Sequence, residues 1–116
     1  MDVQIIDIAP TGKPPVHVSL PPAGHVGILR LLIKIPDVLG NDFTADDFAA
    51  AVEVDETVTA LVVTKAYEPS SDKTIVTITI PGDVGSTGCI GVSWLRTGEN
   101  ERWPIQGSFS RKKLIP

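Results

Sequence analysis

Leu29, Leu31, Ile33 and Ile35 alternate with Ile28, Arg30, Leu32 and Lys34, so one face of this run is wholly apolar and the other is mixed. A period of two belongs to a half-buried strand, because successive side chains leave a pleated backbone on opposite sides. The same period returns at Val76, Ile78 and Ile80 against Ile75, Thr77 and Thr79, and again at Ile90, Val92 and Trp94 against Cys89, Gly91, Ser93 and Leu95. Three apolar faces of this kind need one another, and opposed sheets bury them with the least rearrangement. Ten prolines and ten glycines among the 116 residues supply many turn points, and no long helical pattern of the kind a βαβ crossover needs is seen, so a parallel sheet is not expected.

Shorter runs complete the outline. Val3 to Ile8 reads as a first strand. Val16 to Leu20 lies between Pro14-Pro15 and Pro21-Pro22, so it belongs on an edge or in an extended connection. Thr44 to Ala50 carries a capping threonine and acids in its first turn, and predicts one helical turn anchored by Phe43 and Phe48. Ala51 to Val54 and Val58 to Lys65 read as strands joined by a bend at Asp55-Glu56. Trp103 to Ser110 reads as the last strand. The expectation is an all-β sandwich of about seven to nine antiparallel strands with one helical turn near 44–50. Residues 1–27 supply an N-terminal strand and Pro-rich extension, residues 28–116 the sandwich, in one compact domain.

An ordered set of segments extends the reading. Leu31 to Ile35, Asp42-Phe43-Thr44-Ala45-Asp46-Asp47-Phe48, Val58-Thr59-Ala60-Leu61, Thr74 to Pro81 and Gly88 to Trp94 follow one another in this chain. In that order they resemble the bacterial immunoglobulin-like repeat modules of large surface adhesins, over a little more than half of the chain. The resemblance implies an immunoglobulin-like sandwich. Lone modules of this kind, made without a secretion signal, are displayed on bacteriophage virions. Here the N-terminus Met1-Asp2-Val3-Gln4 has no basic start and no apolar stretch follows it, so no such signal is expected.

The chemistry of the sequence points the same way. Net charge is −4, and the only basic run is Arg111-Lys112-Lys113, which argues against a nucleic-acid partner. No apolar run reaches the roughly 20 residues of a membrane helix. Cys89 is the single cysteine, excludes an intrachain disulfide, and is expected in the core. His17 and His25 belong to no metal-binding pattern, and the glycines at 82, 85, 88 and 91 form no phosphate loop. Half of the 14 acids fall between residues 37 and 56, where no Lys or Arg occurs; Asp42, Asp46 and Asp47 are the only weak candidates for a cation site.

The expectation is a non-enzymatic structural module without cofactor, assembled in a host cytoplasm into a virion as capsid decoration or a tail-associated part. It would contact other virion proteins or copies of itself through Trp103, Arg111, Lys112 and Lys113 and through Pro14, Pro15, Pro21 and Pro22. The alternative is an adhesion or carbohydrate-binding module, with Trp103 and Tyr67 as its aromatic platform.

Overall fold

A computed structural model describes residues 2–8, 16–35, 38, 40–96, 98 and 102–112; for 2–8, 16 and 102–105 only the backbone is described. Nine strands are present among them: β1 (Asp2–Ile8), β2 (Val16–Leu20), β3 (Gly27–Ile33), β4 (Asp47–Val54), β5 (Thr57–Ala60), β6 (Val62–Glu68), β7 (Lys73–Ile80), β8 (Thr87–Leu95) and β9 (Arg102–Arg111). They form a four-stranded sheet in the order β1-β3-β7-β6 and a five-stranded sheet in the order β2-β9-β8-β4-β5.

The alternations seen in sequence become the core between these sheets. Leu29, Leu31 and Ile33 of β3 and Val76, Ile78 and Ile80 of β7 are fully buried. Their pairing sets Leu29 beside Ile78 and Leu31 beside Val76. Val52, Ile90, Val92, Trp94 and Phe109 close over them from β4, β8 and β9, joined by Val18 and Leu20 of β2. Each aliphatic side chain buried in this way contributes about 1.5–3 kcal/mol. Leu61 is the residue at which the chain leaves one sheet for the other: β5 ends at Ala60, β6 begins at Val62, and the buried Leu61 donates its N–H to Ala50 O at 2.9 Å.

Two expectations are corrected. No helical turn forms at 44–50. A single turn closes where Asp46 N–H meets Phe43 O at 3.0 Å, and the Asp42 carboxylate accepts from Thr44 N–H at 3.0 Å. From Asp47 onward the chain pairs with β8 as strand β4. Seven backbone pairings along β8 outweigh a weak local preference for helix. Nor is every pairing antiparallel: β1 runs parallel to β3, and β2 runs parallel to β9. Residues 1–27 thereby contribute one edge strand to each sheet.

The connection from β3 to β4 is pinned by polar groups that find partners in the β6–β7 hairpin. Asn41, wholly buried, accepts from Ile35 N–H at 2.8 Å and donates from its amide to Asp72 Oδ2 at 2.9 Å and to Val38 O at 2.6 Å. Thr74 Oγ1 donates to Asn41 O at 2.9 Å and accepts from Phe43 N–H at 2.8 Å. No described buried side-chain N or O lacks a partner.

Candidate functional site

Where β4, β5 and β8 meet, the outer face of the five-stranded sheet is built mostly from small side chains. In β4, Phe48, Ala50 and Val52 turn inward, which leaves Ala49, Ala51 and Glu53 outside; in β8 the inward Ile90 and Val92 leave Cys89 and Gly91 outside. Val58 and Ala60 of β5 continue the surface through their pairings with Glu53 and Ala51. Together with Gln106 of β9 these residues line a shallow groove of about 660 Å³. Cys89 is therefore exposed, not part of the core. Its parity in β8 decides this, since it lies one residue from the inward Ile90. The outer face of the other sheet differs, with Arg30, Leu32, Thr64 and Thr77 around a groove of about 520 Å³.

The basic residues singled out in the sequence do different things. Arg111 is half-buried, and all three guanidinium nitrogens meet main-chain carbonyls. Nε donates to Val84 O at 3.1 Å and Gly85 O at 3.2 Å, Nη1 to Pro21 O at 3.0 Å and His25 O at 3.3 Å, and Nη2 to Pro81 O at 2.7 Å. Desolvation lowers its pKa, opposed by the charge of Asp83. It ties the β2–β3 turn to the β7–β8 connection, where Gly24 N–H also meets Gly82 O at 2.9 Å. A side chain at Gly82 would fall 2.5 Å from the carbonyl carbon of Gly24. Lys112 is exposed, and its N–H is held by Leu20 O at 2.9 Å. Pro21, whose carbonyl meets Arg111, is buried, and Pro22 is half-buried. Pro14, Pro15 and Lys113 lie outside the described residues, as does the side chain of Trp103.

Two other groups of polar residues are brought together. His17 on β2 contacts Ser108 Oγ through Nδ1 at 2.9 Å and Ser110 Oγ through Nε2 at 2.8 Å, on the outer face of the five-stranded sheet. At one end of the sandwich Trp94 stacks with Phe48 at 5.8 Å and meets Phe43 edge-on at 5.2 Å. Arg96 lies 4.9 Å from the centre of the Phe43 ring, and Lys65 lies 5.8 Å from that of Phe48. The carboxylate of Asp46 joins this end through Trp94 Nε1 at 2.8 Å and Arg96 Nε at 3.3 Å. Asp42 is taken up by Thr44, whose hydrogen bonds lower its pKa. Asp47 is exposed at the start of β4. Among the described residues no three His, Cys, Asp or Glu side chains are grouped to hold a metal ion.

No family model matches the chain, and no curated protein matches it. Solved structures do. The chain is similar to the N-terminal domain of phage TP901-1 ORF48, with a TM-score of 0.57 at 11% identity, over 97% of this chain and 100% of that one. This likeness is one of fold. The cysteine protease inhibitor EhICP2 from Entamoeba histolytica follows at a TM-score of 0.48 and 14% identity, over 96% of each chain. Amebosin follows at 0.47 and 12%, over 91% of this chain and 96% of that one.

Proposed function

We propose that this chain is an immunoglobulin-like structural module of a bacteriophage virion and works through protein–protein contacts. The observation that carries the reading is the likeness of fold, end to end, to a domain of a phage protein. The immunoglobulin-like assignment is supported by the division of the N-terminal strands between the two sheets, β1 on one edge and β2 on the other, and by the crossing at Leu61. A structural role is supported by how the surface is made. The groove of small residues on the five-stranded sheet offers an apolar area to a neighbouring protein, and the polar groups of Asn41, Asp72 and Thr74 are engaged with one another.

The carbohydrate-binding alternative has less support. Tyr67, one half of its aromatic platform, is half-buried and donates its hydroxyl to Asp72.

The reading is tested by expressing a tagged copy in the cell that carries the gene, inducing particle formation and banding the particles on a density gradient. Co-banding of the chain with particles is expected, and image reconstruction then reads its position. Recovery of the chain only as free protein sinks the reading.

A further inference from the structure

We propose that β5 is a self-association edge, and that two copies of this chain join their five-stranded sheets by pairing β5 with β5 antiparallel about a two-fold axis at Thr59. β5 is the last strand of its sheet, and all four of its residues are exposed, Val58 by 65%. Leu61 N–H reaches Ala50 O, so by alternation the main-chain groups of Thr57 and Thr59 also face β4. Those of Val58 and Ala60 point away from the sheet. Such edges are normally blunted by a charge, a proline, a bulge or short length, and of these β5 has only its four-residue length. β6, the edge of the other sheet on this side, carries Lys65 and Glu68. From Thr57 to Thr64 there is neither a charge nor a proline.

Charge selects the partner and the register. The acids of the turn, Asp55 and Glu56, stand at one end of β5 only, and Glu53 lies on the neighbouring β4. Antiparallel pairing of two copies sends the acids to opposite ends of the joint, whereas parallel pairing would stack like charges side by side. Only residues whose main-chain groups face outward can form hydrogen-bonded pairs. With the axis at Thr59, Val58 opposes Ala60 of the second copy and Ala60 opposes its Val58, giving four N–H···O=C bonds among uncharged residues. Moving the axis to Val58 would bring Glu56 into the pairing. The chosen register also sets the larger Val58 beside the smaller Ala60, on the face that carries the groove. The joint is small, and its pairing is correspondingly weak and reversible.

This refines the structural-module reading by naming a second copy as partner, and the two fail separately. Sedimentation equilibrium of the full chain at high concentration is expected to show a reversible dimer. Val58→Pro removes an outward N–H where an edge strand tolerates proline, and is expected to weaken the dimer roughly tenfold or more. Val58→Lys faces Glu53 of its own hairpin, so the fold is retained while the edge is blunted and dimerisation falls. Thr59 would meet its counterpart as a non-hydrogen-bonded pair with Cα atoms about 4.5 Å apart, within disulfide reach. In a Cys89→Ser background, Thr59→Cys is therefore expected to oxidise to a covalent dimer. A chain that stays monomeric, or a dimer unmoved by Val58→Lys and uncrosslinked by Thr59→Cys, overturns the proposal. A chain that bands with particles yet sediments as a monomer overturns the pairing alone, and a dimer that never joins a particle overturns the virion reading alone.

Discussion

The indole N–H of Trp94 donates to the carboxylate of Asp46 at 2.8 Å, from the end of one strand to the residue that precedes another. The bond fixes the largest side chain of the core and anchors the turn that launches β4. Trp94 is 2% exposed, and its ring is packed by Phe43 and Phe48, so water has little access to the indole nitrogen if the carboxylate is removed.

Asp46→Ala is accordingly expected to destabilise the protein by about 1–3 kcal/mol, the cost of a buried donor left without its partner. Asp46→Asn keeps an acceptor and is expected to cost less. Urea denaturation followed by Trp fluorescence measures both. Equal losses for the two variants would mean that the charge towards Arg96, not the hydrogen bond to Trp94, is the stabilising part.

How far the sequence discloses this structure depends on the contrast between neighbouring side chains. In β7, threonines separate the buried valine and isoleucines, so its period of two is plain. In β4, Phe48 to Val52 is interrupted only by alanines; apolar and exposed positions look alike, and the capping pattern at Thr44 prevails on paper. Cys89 follows the parity of its strand, not its own preference for burial. The parallel edge pairings of β1 and β2 and the carbonyl partners of Arg111 leave no mark in sequence. They are main-chain relationships, in the case of Arg111 spanning 26 to 90 residues. The groove was hidden for a related reason, since it is made by what alanine and glycine lack.

Arg111 was a candidate contact residue in the sequence, and its geometry predicts a second property. Five carbonyls converge on it from two connections that are far apart in the chain. Arg111→Ala is expected to cost about 2 kcal/mol or more, and Arg111→Lys to recover only part of that, because a point charge cannot span the fork. Hydrogen exchange at Gly24 and Val84 should accelerate in both variants. A stable Arg111→Ala protein with unchanged exchange would remove this structural role.

The β4–β5 hairpin turns through Asp55 and Glu56 at φ of 49° and 65°. A two-residue turn of this kind requires left-handed backbone at both positions and favours Asp-Gly or Asn-Gly. Glu56 bears the steric penalty of that region, about 1–2 kcal/mol, which glycine escapes at some cost in unfolded-state entropy. Glu56→Gly is expected to stabilise by about 0.5–1 kcal/mol, read as a higher urea midpoint with an unchanged slope. A destabilised variant would mean that the Glu56 side chain makes a compensating contact.

The last prediction concerns Asp72, which sits at φ 52° and accepts hydrogen bonds from Tyr67 and from both the side chain and the main chain of Asn41. The Tyr67 hydroxyl, then Asn41, hold its pKa down to about 2 from an ordinary 3.8. The folded value is depressed, so the stabilisation is present above the unfolded pKa and is lost as pH falls towards about 2. Asp42, lowered by Thr44, adds to the same acid limb. Tyr67 is the mirror case: Asp72 raises its pKa above 10.0, so its contribution is present below that value and lost as pH rises through the raised one. Stability should fall between about pH 4 and pH 2 and again in strong base. Asp72→Asn should flatten the acid limb and bring the spectroscopic titration of Tyr67 back towards an ordinary tyrosine. If Asp72→Asn leaves both limbs as they were, the Tyr67–Asp72–Asn41 network does not couple the β6–β7 hairpin to the connection beneath it.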